Sequence, residues 1–203
     1  MHTFPLHLYL HAIQQKDWGT VAALMSRSAE KLALAGADFI ICPNNTLHQA
    51  FDRIDSPIPW LHIVDVVATE TARRGFHRVG LLGTRVVMEG SVYPCKLGQL
   101  CIDHAIPDEH DRAGLQDVIL NELVAGQIRR ESQAYVTSLI EHLYKRGCDA
   151  VILACTELPH LAKSEESILP LLDSTRLLAE AAIRKASAGR DSPTAKSVLS
   201  GCG

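Results

Sequence analysis

The sequence predicts an α/β fold with mostly parallel sheets, and three observations lead to it. Short apolar runs alternate with stretches of helical periodicity along the whole chain. Runs such as Ala150–Ala154 are apolar throughout, as in strands covered on both faces. One unit also occurs twice. Gly36 to His48 reads GADFIICPNNTLH, and Gly147 to His160 reads GCDAVILACTELPH. Each copy opens Gly-x-Asp, runs through apolar residues and closes in polar ones. Counting eight residues from each glycine aligns Asn44 with Cys155, Asn45 with Thr156 and Thr46 with Glu157. The repeat suggests two similar halves facing one another, with a pocket that receives one strand tip from each.

Taken in order, His2–Leu8 alternates weakly and reads as an edge strand despite Pro5. A short helical stretch starts at Ala12. Asp17 is placed to cap a helix from Trp18 to Leu34, on which Val21, Leu24, Met25, Ala29 and Leu32 follow a helical period. Gly36 closes that helix. Phe39–Cys42 reads as a strand, Pro43 to Thr46 as the loop at its tip, and Leu47–Arg53 as a helix. Ser56-Pro57-Ile58-Pro59 is a connector. Leu61–Val64 reads as a strand, with a helix from Asp65 to near Gly75. Arg78–Leu82 is a buried strand ending in Gly83-Thr84-Arg85. Met88–Leu100 is expected to be helical with a break near Pro94, and Leu100–Ala105 to be a strand. Asp108–Arg146 reads as helix with a break around Gly126. After the Ala150–Ala154 strand, Leu158–Ser164 starts a helical segment. Ile168–Leu172 is a short apolar run, and Asp173 begins a final helix through Ala186. The domain reading is residues 1–77 plus about 168–187 for the first unit and residues 78–167 for the second. The small, polar residues 188–203 are expected to form a disordered tail, in which Cys202 is incidental.

Composition excludes several classes. At 203 residues, 47% hydrophobic and 21% charged, the chain suits an ordinary globular protein. A net charge of -3 gives no reason to expect nucleic-acid or membrane binding. No apolar run is long enough to span a bilayer and no signal peptide is visible, so a cytoplasmic location is expected. None of the six cysteines forms a CxxC pair, which argues against a zinc site. No glycine-rich phosphate loop, GxSxG or HExxH occurs, so no nucleotide, flavin or metal is expected.

The chemistry is expected at the strand tips, where ligands sit in open α/β sheets. Cys155 ends the Ala150–Ala154 strand before a predicted helix, whose dipole is expected to lower the thiol's pKa. A thiolate there serves as a nucleophile or as a base beside a carbonyl. The plainer alternative is a buried structural cysteine. Thr156 and backbone N–H groups can hold a carboxylate beside it. Asn45, Thr46 and Thr84 are short polar residues at strand tips, suited to a carboxylate or amine and equally to turn capping. His48 and His160 each close a repeat and can tune an acid or base, or simply face a helix or solvent. Glu157 is a candidate acid, or an early-helix glutamate favoured by the dipole.

The segments ADFIICPNNTLH, RVGLLGTRVVMEGSVY and DAVILACTELPHL together resemble the aspartate/glutamate racemase family, the cofactor-independent amino-acid racemases. The resemblance runs from about Trp18 to Ala186. It implies two α/β domains with pseudo-twofold symmetry and the active site in the cleft between them. It implies two cysteines facing each other across the substrate α-carbon, one removing the α-proton and the other returning a proton on the opposite face. By position, Cys155 matches the second cysteine and Thr156 its substrate-binding neighbour. Asn45 and Thr46 match the first motif, and Thr84 the mid-chain loop that lines the site. A small amino acid or dicarboxylate is the implied substrate, no cofactor is implied, and a homodimer is common in the family.

The chain departs from that pattern in two places. Asn44 stands at the first-cysteine position, and an asparagine amide is no proton-accepting base at ordinary pH. Cys42 lies two residues earlier on the same strand face, roughly 6–7 Å deeper. Family members also open with a strand and a glycine-rich loop before the point matched by Met1. From this, loose order is expected around His2–Leu8 and Phe39–Cys42. Three readings therefore stand: an aspartate/glutamate-type racemase, a single-cysteine decarboxylase or cis-trans isomerase on the same scaffold, and a non-catalytic or vestigial ligand-binding protein.

Overall fold

A computed structural model describes residues 1–188; of the expected tail, Ala188 closes the last helix, and residues 189–203 with Cys202 lie outside the described residues. The first helix, α1 (Leu6–Gln14), replaces the expected edge strand. Pro5 supplies a fixed φ at its start. The residues that bury are Tyr9 and Ala12, three apart, and they pack on α2 with Val21, Leu24 and Met25. Leu6 and Leu8, which lay in the expected strand, are exposed, as is Leu10. His2 is tied down through Nδ1 to the Ser28 hydroxyl, 3.1 Å away.

Helix α2 (Trp18–Leu34) matches the predicted limits. Asp17 caps it, accepting the Thr20 N–H at 3.0 Å. Gly36 ends it at φ +84°, the left-handed conformation glycine adopts without a Cβ clash. The strand β1 is only Ile40–Ile41, shorter than expected, and pairs in parallel with β2 (Trp60–Leu61). Between them Thr46–Arg53 is a 3-10 helix. The expected strand over Leu61–Val64 stops at Leu61. His62 Nδ1 accepts the N–H groups of Val64 and Asp65, so α3 (Ile63–Arg73) begins at once.

Four parallel strands form the second sheet: β3 (Arg78–Gly83), β4 (Asp103–Ala105), β5 (Ala150–Ala154) and β6 (Leu171–Asp173), in the spatial order β4-β3-β5-β6. Strand alternation splits its two cores. Val79, Leu81, Ala150 and Ile152 join Ile63, Val64 and Val67 of α3, Leu177 and Leu178 of α8 (Ser174–Ala188), and Tyr93 and Leu97 of α5 (Val92–Gln99). Leu82, Val151, Leu153 and Cys155 join Leu115 of α6 (Glu109–Asp117) and Val136, Leu139 and Leu143 of α7 (Arg130–Lys145). The architecture is thus α/β with parallel sheets, as expected.

Three local expectations are corrected. The helical stretch after β3 divides at Gly90-Ser91 into α4 (Arg85–Glu89) and α5, while Pro94 sits in the first turn of α5, where its missing N–H costs nothing. The segment after β5 forms only a 3-10 turn, Leu158–His160. The final helix starts at Ser174, with Asp173 accepting the N–H groups of Thr175 and Arg176 at 3.0 Å. The Asp108–Arg146 stretch does break near Gly126, whose φ is +74°; before the break α6 passes into a π-helical segment, Val118–Leu123.

Candidate active site

The register of β3 on β5 sets the geometry. Gly83 pairs with Ala154, so Thr84 and Cys155 leave the sheet at the same level. The two backbones come close here: a Cβ on Gly83 would lie 2.9 Å from the Ala154 carbonyl oxygen. The first motif joins them through side chains. Thr46 and Thr84 hydroxyls lie 3.1 Å apart, and the Asn45 amide donates to Ser174 Oγ at 2.9 Å, at the tip of β6. Asn45, Thr46 and Thr84 are therefore brought together at the C-terminal edge that carries Cys155.

Cys155 is 8% exposed, on the same sheet face as Val151 and Leu153. Its thiol donates to Glu157 Oε2 at 3.0 Å, and the Thr156 hydroxyl donates to the same oxygen. The expected lowering of its pKa is overturned. Burial first, and then the Glu157 carboxylate, push the thiol up to about 12. A three-residue 3-10 turn follows in place of the expected helix and its dipole. At neutral pH Cys155 is thus a protonated thiol hydrogen-bonded to the Glu157 carboxylate.

Asn44 is exposed, and its Oδ1 accepts the Leu47 N–H at 3.1 Å, so its side chain serves the following 3-10 helix. Cys42 is partly buried against the α1–α2 core, and burial pushes its thiol up to about 11. His48 is buried and faces Cys42: a ring Nε2–H donates to the Cys42 carbonyl at 3.0 Å, leaving Nδ1 without a partner among the described residues. It packs against His62 (4.7 Å between centroids) and Phe51 (5.4 Å). His160 is exposed. The residues that sequence reasoning missed are Tyr93, which donates to Asn45 Oδ1 at 2.7 Å, Ser174, His62, and Gln116, whose Oε1 accepts the Arg85 N–H at 2.7 Å and so fixes the turn after Thr84. Arg85 itself is held by Glu89 and Glu109, both at 2.8 Å. Among the described residues no group of three or more His, Cys, Asp or Glu is placed to hold a metal, and no helix is long and apolar enough to cross a membrane.

The buried histidine pair predicts a pH-dependent stability. Burial and the neighbouring His62 lower the pKa of His48 to about 3, against about 6.5 in the unfolded chain. The unfolded state then binds the extra proton, so the stability is present in full above pH 6.5 and lost as pH falls. The loss from His48 is expected to reach about 2 kcal/mol by pH 5. Burial lowers His62 in the same direction. Urea unfolding at pH 7 and pH 5 measures it, and His48→Gln should flatten the slope; equal slopes in the two proteins would refute this assignment.

Parallel strands with their tips gathered at one edge make this an α/β protein of the open-sheet class, in which ligands sit beyond the C-terminal ends of the strands. The comparisons identify the family. The family model described as Asp/Glu/Hydantoin racemase matches residues 9–182, and the chain belongs to that family. The broad specificity amino-acid racemase RacX of Bacillus subtilis (strain 168) is 28% identical over 163 residues, covering 76% of this chain and 67% of RacX. A crystal structure of a Yersinia pestis protein assigned to the Asp/Glu racemases superposes with a TM-score of 0.84 at 33% identity, covering 91% of this chain and 81% of that one. An aspartate racemase homologue from Pyrococcus horikoshii OT3 gives a TM-score of 0.76 at 28% identity, over 85% and 76% of the two chains. Membership supports an isomerase-type enzyme for small amino-acid substrates.

Proposed function

We propose that the protein is an amino-acid racemase of the aspartate/glutamate type that works without pyridoxal phosphate, with Cys155 as its thiol acid/base. The observation that carries this reading is the Cys155 thiol at the β5 tip, donating to Glu157 at 3.0 Å in a chain of the racemase family. In the proposed step Glu157 takes the thiol proton, and the thiolate removes the substrate α-proton. The bond's electron pair stays on the α-carbon beside the carboxylate, and the product forms when a proton returns to the other face. Thr46, Thr84 and Thr156 supply hydroxyls for the α-carboxylate or amine. In this reading Asn44 takes the opposite position, where its amide is no base; water delivers the proton on that face, and the hydroxide it leaves is neutralised by the proton that Glu157 took, which resets the site with the α-proton on Cys155. We read the chain as two units, residues 1–77 with about 168–187 and residues 78–167; α8 returns to pack on α3, while β6 at the start of that last segment pairs with β5 of the second unit. A homodimer and a cytoplasmic location go with this reading.

Incubation in D2O with each enantiomer of aspartate, glutamate and neutral amino acids, followed by proton NMR, is the test. Faster α-deuterium uptake is expected from the enantiomer presented to Cys155. Equal uptake from both enantiomers would mean a second protein base, and no uptake from any amino acid would defeat the racemase reading.

A further inference from the structure

We infer that Tyr93 and Ser174 are positioning residues of this site, holding Asn45, and with it the Asn44–Thr46 loop, at a fixed height against the strand that delivers Cys155. The inference rests on the proposed racemase reading for its kinetic consequences and on the hydrogen-bond geometry for its physical content.

Four polar groups form one buried chain. Tyr93 Oη donates to Asn45 Oδ1 at 2.7 Å, Asn45 Nδ2 donates to Ser174 Oγ at 2.9 Å, and Ser174 Oγ donates to the Leu153 carbonyl at 2.9 Å. Tyr93, Asn45 and Ser174 are 1%, 5% and 0% exposed. The direction of donation is fixed by the last member. A carbonyl only accepts, so the Ser174 hydroxyl must donate to it and must itself receive the Asn45 amide N–H. The amide oxygen then faces Tyr93, whose burial keeps its hydroxyl protonated, its pKa pushed above the ordinary tyrosine value. No amide flip satisfies the same set.

The chain spans three elements: the loop after β1, the second residue of α5 and the first residue of α8. It ends on Leu153, two residues before Cys155. Asn45 has committed one N–H and one lone pair to the protein, and acts as a connector between the loop and the β5 tip. Its neighbour Asn44 accepts the Leu47 N–H and its neighbour Thr46 meets Thr84, so the position of Asn45 sets that of both. Chemistry that depends on a proton passing at the α-carbon is sensitive to the spacing of such loops, because a shift of about 1 Å costs on the order of a hundredfold in rate.

The test uses the full chain and the variants Tyr93→Phe, Ser174→Ala and Asn45→Ala. Tyr93→Phe and Ser174→Ala are each expected to lower kcat about ten- to a hundredfold with KM nearly unchanged. In the Asn45→Ala background, Tyr93→Phe is expected to add no further loss, since it acts only through Asn45. Losses that multiply, or a rise in KM alone, would overturn the positioning role; the second outcome would make Asn45 a substrate ligand. A readout independent of turnover separates this idea from the racemase reading. In 15N NMR, the Asn45 side-chain N–H should exchange slowly in the wild-type chain and at least about tenfold faster in Tyr93→Phe and Ser174→Ala. A wild-type chain that turns over nothing yet shows this protection defeats the racemase reading and leaves the hydrogen-bonded clamp intact. An Asn45 amide that exchanges as fast as free asparagine defeats the clamp whatever the activity. Circular dichroism checks folding, and the two single variants stand in for one another should either fail to fold.

Discussion

Cys155→Ser is expected to abolish turnover while the chain remains folded. A hydroxyl is close to a thiol in size, and the serine can still donate to Glu157 Oε2, so the 8%-exposed site keeps its packing and its hydrogen bond. What is lost is acid/base chemistry. A thiol pushed up to about 12 can still exchange its proton with a neighbouring carboxylate, whereas an alcohol is a far weaker acid. Positioned proton transfer contributes about 10²–10⁴-fold, and the fall in kcat should be at least of that order. Steady-state racemisation with thermal unfolding as control measures it. Activity near the wild-type level would remove the thiol from the mechanism.

The second large effect is expected from Gly83→Ala, which touches no substrate. The added Cβ would lie 2.9 Å from the Ala154 carbonyl oxygen, on the paired strand. A backbone oxygen cannot swing aside as a side chain can, so β3 and β5 must part at their tips. Overpacking of this kind costs about 1–3 kcal/mol. Because Thr84 and Cys155 are the next residues on the two strands, the same parting displaces the site, and a loss of about a hundredfold in rate is expected. Gly98→Ala, where a Cβ meets nothing within 4 Å, is the control: it lies inside α5 and should be neutral or stabilising. Equal behaviour of the two variants in melting temperature and kcat would refute this account.

Much of the fold is legible because its signals are local. Gly36, Gly75, Gly126 and Gly147 all take positive φ at the ends of helical stretches, where the sequence placed them. Asp17 caps α2 through a residue three positions away. Ala150–Ala154 is apolar on both faces because helices cover both, and that same run led to Cys155 at its end. The failures share a physical cause. Tyr93 and Ser174 reach Asn45 across 48 and 129 residues of sequence, and periodicity carries no trace of such pairs. The acidity of Cys155 turns on its burial and on a Glu157 side chain folded back toward it, neither of which a strand-tip position dictates. At the N-terminus the leucines alternate, yet Tyr9 and Ala12 carry the packing, so the more hydrophobic set pointed to the wrong element.

The packing of α8 on α3 also orders events during synthesis. Ile63, Val64 and Val67 emerge from the ribosome early, but Leu177 and Leu178, which cover them, follow over a hundred residues later. Strand β3 likewise waits for β5 before its inner edge is paired. Contacts of such sequence separation form late, since a long loop must close before they repay its entropy. Until α8 is made, the part of α3 that Leu177 and Leu178 cover stays open in the nascent chain, with only β3 and α5 at hand to shield the rest, and open apolar surface of this kind promotes aggregation.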